Sequence, residues 1–211
     1  MHQPPILKIN EIFPSIQGEG LRLGEPTLFI RLAECNLKCA FCDTKYAWQK
    51  GQEMTVEAIL KKIQKIHASF PSQWVCLTGG EPLLQDVSGL VQRLNKQNYR
   101  IQVETNATIY RELDKAVDWY TISPKPPKYF YQPEYTKKAK EVKLVVNKGF
   151  DLAVLKKIRK GFPEKTPILL QPMSNSQSSS KQALRLLKQA LKDGAKNVRI
   201  TAQIHKIFGW R

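Results

Sequence analysis

An α/β fold built around an incomplete parallel barrel is what this sequence predicts, and three observations predict it. Short apolar runs of strand length recur through the 211 residues, at 27–33, 74–78, 100–104, 119–123, 142–146, 167–171 and 198–203. Amphipathic segments with helical spacing separate many of them, as crossovers of a parallel sheet require. Strand–helix units continue on both sides of every proline- or serine-rich stretch, so residues 1–211 read as a single domain without a linker.

In order, 27–33 is the first confident strand. Thr55 is placed to cap a helix whose one face carries Val56, Ile59, Leu60, Ile63 and Ile66. After 74–78, Asp86 is the expected cap of a helix with Val87, Leu90, Val91 and Leu94 on one side. Residues 123–135 hold Pro124, Pro126, Pro127 and Pro133 and predict a loop without a helix. Asp151 caps the helix after 142–146. A second loop, 172–180, is rich in serine and asparagine, and Leu184, Leu187 and Leu191 share the face of a last long helix. In such sheets ligands gather at the carboxyl ends of the strands.

The net charge of +16 suits an anionic partner. Yet lysines in runs such as Leu60-Lys61-Lys62-Ile63 and Leu155-Lys156-Lys157-Ile158 interleave with apolar residues, which predicts solvated helix backs and no direct nucleic-acid contact. The apolar runs are far shorter than a membrane span, and Met1-His2-Gln3-Pro4-Pro5 lacks the regions of a signal peptide, so a cytoplasmic protein is expected. His67, late in its helix, is expected at the surface or as a cap.

Three of the four cysteines form Cys35-x3-Cys39-x2-Cys42 just after the first strand. Thiolates at this spacing can converge on one soft metal centre. A structural zinc site needs a fourth ligand, whereas an iron–sulfur cubane held by three cysteines keeps one iron open. Cys76, in mid-strand, would close a zinc site if it joined them; as a small buried hydrophobe it belongs in the core. Phe41, between the last two cysteines, would shield the centre from water.

This triad, with an aromatic residue before its third cysteine, resembles the cluster motif of radical S-adenosylmethionine (SAM) enzymes. The resemblance implies a 4Fe-4S cluster on Cys35, Cys39 and Cys42, with SAM chelating the open iron and cleaved to a 5′-deoxyadenosyl radical. Thr78-Gly79-Gly80-Glu81-Pro82 resembles the glycine-rich SAM contact of that superfamily, Gly79 and Gly80 letting backbone approach a charged ligand closely.

Further motifs are similar to those of 7-carboxy-7-deazaguanine synthases, a family of queuosine-type 7-deazapurine biosynthesis whose product serves tRNA modification or another end use. The segment Ser15-Ile16-Gln17-Gly18-Glu19-Gly20 resembles its substrate contact, which assigns Ile16, Gln17 and Gly18. Arg31 suits a bidentate grip on a substrate carboxylate. Cys42-Asp43-Thr44 resembles a Cys-Asp-Thr in which the threonine contacts Mg2+, an ion that prefers oxygen ligands. Glu104 matches a carboxylate that pairs with the guanidine-like edge of a pterin, beside Thr78. Ser123-Pro124-Lys125 and Gln171 match SAM contacts. Gln203-x-His205 matches a histidine at the substrate, followed by a terminal carboxylate, here that of Arg211. The resemblance runs from Ser15 to the C-terminus, departing at Ala107, where many members have glycine.

What the resemblance implies is a radical SAM lyase of the partial (β/α) barrel type, with a reduced number of helices. It would convert 6-carboxy-5,6,7,8-tetrahydropterin to 7-carboxy-7-deazaguanine and ammonia as a homodimer, reduced by a flavodoxin or ferredoxin. The competing readings are a glycyl-radical activase and a zinc-stabilised nucleic-acid-binding protein.

Overall fold

The computed structural model describes residues 6–113 and 116–210. They divide into two compact units, one holding the described residues up to Ile16, Glu25–Thr105 and Ile109–Tyr120, the other Gln17–Gly24, Asn106–Thr108 and the chain from Thr121.

In the first unit, β1 (Ile6–Ile16) pairs antiparallel with β2 (Pro26–Leu32) and with β3 (Gln52–Thr55). From β2 the sheet turns parallel through β4 (Trp74–Gly79) to β5 (Arg100–Thr105). The helices α1 (Val56–Ser69) and α2 (Ser88–Lys96) follow β3 and β4. Leu28, Ile30, Val75, Leu77, Ile101 and Val103 are fully buried, as are Ile59, Ile63, Leu90 and Leu94 of the helices. Each such side chain contributes about 1.5–3 kcal/mol of burial. On the other sheet face Phe13, Phe29 and Cys76 form a buried cluster, so Cys76 lies in the core as expected.

β1 and β3 were not among the expected strands. In β1 the register shifts between Ile9 and Glu11, which breaks the alternation that marks a strand, and Pro14 weakens the pattern again. β3 is four residues, Gln-Glu-Met-Thr, without an apolar run. Thr55 caps α1 as expected, accepting the Ala58 N–H. The cap of α2 is Val87, not Asp86; the Asp86 carboxylate instead accepts both the Ser88 N–H (3.0 Å) and hydroxyl (2.6 Å). His67 is half-buried and packs edge-on against Tyr99, with ring centroids 5.5 Å apart.

The second unit contains β7 (Ala139–Val146), β8 (Ile168–Pro172) and β9 (Val198–Ile200), all parallel. β6 (Trp119–Ile122) begins in the first unit and ends in this one. The helices are α3 (Tyr135–Lys138), α4 (Leu152–Gly161), α5 (Gln177–Lys192) and α6 (Ile204–Phe208). Asp151 caps α4 as expected, accepting the Val154 N–H (2.9 Å). Three expectations need correction. Part of the serine-rich stretch is the first turn of α5, with Ser176 as its cap. The buried face of α5 carries Ser179, Ala183, Leu186 and Ala190, while Leu184 and Leu191 are exposed. Ser179, Ala183 and Ala190 are small enough to let the helix lie close to the sheet, and Leu186 is the leucine buried with them. β9 ends at Ile200, three residues short of the run from which it was read.

Candidate active site

The loop that leaves β2 carries the three clustered cysteines. Cys35, Cys39 and Cys42 are half-buried, whereas Cys76 is fully buried. Backbone bonds fix the base of the loop: Ala33 N–H donates to Lys8 O (3.0 Å), Glu34 N–H to Ala47 O (2.8 Å) and Glu81 N–H to Glu34 O (2.8 Å). Thr44 N–H reaches the Cys42 Sγ at 3.4 Å, the kind of contact that stabilises a thiolate and tunes a cluster. A cavity of ≈ 330 Å³ is lined by Glu34, Cys35, Asn36, Lys38, Trp48 and Leu84. Among the described residues no three His, Cys, Asp or Glu side chains are gathered as a metal-ion site. The donor chemistry nonetheless fits a cluster with one open iron: three thiols share one accessible loop, and the fourth is locked in the core. Phe41 is half-buried in the same loop. The Thr44 hydroxyl donates to Asp43 Oδ1 (3.0 Å), so one hydroxyl–carboxylate pair is what the loop offers a cation.

Gly79 and Gly80 explain how the next loop meets this one. Gly79 has φ +130°, and a Cβ there would strike the Leu32 carbonyl; a Cβ at Gly80 would strike the Glu34 carbonyl. Both glycines therefore permit close approach of backbone to backbone at the root of the cysteine loop. Glu81, fully buried, anchors the turn by accepting from Leu83 N–H (3.1 Å) and Thr105 Oγ1 (2.8 Å).

The parallel register aligns the expected substrate residues. Phe29 pairs with Cys76 and Arg31 with Thr78. Cys76 pairs with Gln102 and Leu77 with Val103, which puts Thr78 and Glu104 each one residue further on. Arg31, Thr78 and Glu104 thus form a row at the carboxyl ends of β2, β4 and β5, on the face that carries Phe29 and Cys76. All three are half-buried. The Arg31 Nε donates to Glu11 Oε1 (2.7 Å), which also accepts from the Tyr46 hydroxyl (2.7 Å), and the guanidinium lies over the Phe13 and Tyr46 rings. A guanidinium held by Nε keeps its outer N–H fork for a second carboxylate.

In the second unit, Gln17 and Gly18 are buried, and the Ile204 N–H donates to Gly18 O (3.0 Å). A Cβ at Gly18 would overlap the His205 imidazole, so this glycine is what lets the two expected substrate contacts meet. Glu19 accepts from Gln203 Nε2 (2.7 Å) and is ion-paired with Lys143. Ser123 donates to Lys143 O (2.8 Å) and accepts from Lys125 Nζ. Pro124 is buried beside them. At the end of β8, Gln171 is 3% exposed, and its Oε1 is buried without a hydrogen-bond partner, a feature that fits a ligand donor there. Ile16 closes β1 in the first unit. Arg211 lies outside the described residues.

Several residues of these arrangements are not marked by the sequence: Glu11 and Tyr46 around Arg31, Lys143 beside Glu19, and Glu141 beneath Leu21 and Thr121. The signal available was a charged pair, Glu141 and Lys143, two apart at the start of an apolar strand.

The superfamily model for radical SAM proteins matches residues 30–209. The chain therefore belongs to the radical SAM superfamily, whose members use a 4Fe-4S cluster and SAM. Within it, the chain is 36% identical over 210 residues to the 7-carboxy-7-deazaguanine synthase of Aquifex aeolicus, covering 96% of this chain and 94% of that one. The enzyme of the same name from Rickettsia prowazekii is 32% identical, with 96% and 88% covered. These relatives place the chain in the 7-carboxy-7-deazaguanine synthase family. The crystal structure of QueE from Escherichia coli matches with a TM-score of 0.78 at 27% identity, covering 94% of each chain. The α/β partial-barrel class expected from the sequence is the class of that fold.

Proposed function

We propose that residues 1–211 act as one radical SAM domain that converts 6-carboxy-5,6,7,8-tetrahydropterin to 7-carboxy-7-deazaguanine with loss of ammonia. The row Arg31–Thr78–Glu104 carries this reading. Neighbouring strands lie about 4.8 Å apart, so the ends of the row are separated by roughly 10 Å, the scale of a bicyclic ring bearing a carboxylate. Arg31 would take the carboxylate, and Glu104 the guanidine-like N–H edge. Thr78, Gln17, Gly18, Ile16, His205 and the terminal carboxylate of Arg211 would hold the rest of the ring system.

Cys35, Cys39 and Cys42 would hold the cluster, and Phe41, Gly79, Gly80, Ser123, Pro124, Lys125 and Gln171 would hold SAM. When bound, the cluster and SAM would supply radical chemistry at the substrate's C6. The residues of the chain fix the substrate in reacting geometry, which is the protein's main lever on such a step. The motif match also supports Mg2+ at Thr44, a flavodoxin- or ferredoxin-type reductant, a homodimer, and a cytoplasmic role in the supply of deazapurine for tRNA modification. Among the described residues no helix is long and apolar enough to cross a membrane. The names of the relatives favour neither a glycyl-radical activase nor a zinc-stabilised nucleic-acid binder. The test is anaerobic reconstitution followed by turnover with the pterin, SAM and a reductant. Formation of 7-carboxy-7-deazaguanine is expected; a colourless zinc protein, or SAM cleavage without any deazapurine, contradicts the reading.

A further inference from the structure

β7 brings two charged side chains into the interior of the second unit, and the function proposed above uses neither. Glu141 is fully buried and Lys143 is 5% exposed. Two residues apart on a strand, they emerge on the same face. Glu141 accepts the Leu21 N–H (2.7 Å) and the Thr121 hydroxyl (2.7 Å). Lys143 pairs with Glu19, whose carboxylate also accepts from Gln203 Nε2 (2.7 Å). The other end of that amide, Gln203 Oε1, accepts the Ser174 N–H (3.0 Å). Both neighbours of this link are expected substrate contacts: Gly18 precedes Glu19, and His205 lies two residues beyond Gln203.

A buried ammonium is costly unless paired, and an apolar residue at this point of the strand would pack without that penalty. Removing Lys143 alone would take its ammonium away from the Glu19 carboxylate, which is 15% exposed and accepts from the Gln203 amide. The carboxylate would then turn toward water, which breaks its bond to Gln203 Nε2, or take up a proton, which weakens that bond. The sequence positions joined are 124 apart for Lys143–Glu19 and 184 apart for Gln203–Glu19, so no local turn sets this geometry.

We propose that Lys143 is a positioning residue for the substrate: its ammonium fixes Glu19, and through Glu19 and Gln203 it sets Gly18 and His205 in place around the pterin. The inference rests on the function proposed above and deepens it. Lys143 touches neither substrate nor SAM in this scheme, so its removal should act on pterin affinity selectively.

The test compares Lys143→Met, Glu19→Gln and the double variant as reconstituted holoenzymes. Pterin binding is measured at equilibrium with SAM present and reductant withheld, alongside SAM affinity and cluster absorbance. Lys143→Met should weaken pterin binding at least tenfold, with SAM affinity and cluster content within twofold of wild type. The double variant should bind pterin no worse than the poorer single variant, because both changes break one link. In turnover KM should rise more than kcat falls. Wild-type pterin affinity in Lys143→Met, additive losses in the double variant, or parallel losses of pterin, SAM and cluster would each overturn the inference. Should Lys143→Met fail to fold, Glu19→Gln keeps the side-chain shape and removes the charge; wild-type pterin affinity in that variant overturns the inference equally. A wild-type holoenzyme that binds no pterin contradicts the proposed function itself, and the inference falls with it. Tight wild-type binding matched by the variants contradicts the inference alone.

Discussion

The cysteine loop of the first unit and the Gln17–Gly24 loop of the second are built in opposite ways. In the first, Asn36, Leu37, Lys38 and Ala40 are exposed and the three thiols are half-buried. In the second, Gln17 and Arg22 are each 2% exposed, and β7 grips the loop through Glu141 and Lys143. Under the proposed function the first loop would receive a cofactor on thiols that solvent partly reaches. The second, which would orient substrate, is held by the buried side chains of Glu141 and Lys143. The difference predicts which substitutions disable chemistry and which disable folding.

The largest effect should come from Cys39→Ala. After anaerobic reconstitution this variant should lack the visible iron–sulfur absorbance and make no deazapurine, while its apo form keeps wild-type stability within about 0.5 kcal/mol in urea denaturation. Retained turnover would break the comparison on the cysteine side. Glu141→Ala should behave in the converse way. It removes the carboxylate that accepts the Leu21 N–H and the Thr121 hydroxyl, hydrogen bonds worth about 0.5–3 kcal/mol each. Its urea midpoint should fall accordingly, and an unchanged midpoint would show that this loop is not held by β7.

A smaller effect concerns acid. The Ser88 hydroxyl and N–H hold the Asp86 carboxyl below its usual value. The folded-state pKa is depressed, so this contribution to stability is present above the unfolded value near about 3.9 and is lost as pH falls through the folded one. Asp86→Asn should therefore lose a few tenths of a kcal/mol at pH 7. That gap should narrow below about pH 4. A gap independent of pH would remove the charge from the account of the α2 start.

Much of this organisation was legible in the sequence because apolar pattern and geometry agree there. β2, β4, β5, β7 and β8 are apolar runs, and the residues at their ends are the ones singled out for binding. β1 was hidden by its bulge and Pro14, and β3 by its polar composition. The small inward face of α5 hid behind its larger outward leucines. Charged residues are read as solvated by default, which is why Lys143 and Glu141 passed unnoticed: their burial depends on partners more than a hundred residues away. Arg31 was legible as an unusual charge in an apolar strand, whereas Glu11, its partner across the antiparallel pair, sits where the alternation breaks down.

The central claim is that the row Arg31–Thr78–Glu104 reads the pterin, with Arg31 on the carboxylate. The most direct measurement is equilibrium binding of 6-carboxytetrahydropterin and of the same pterin without its carboxylate, by wild type and by Arg31→Ala. A charge-assisted bidentate contact is worth about 1.5–3 kcal/mol, so wild type should prefer the carboxylated ligand by roughly 10- to 100-fold. Arg31→Ala should bind the two ligands alike. A variant that keeps the wild-type preference would contradict the account.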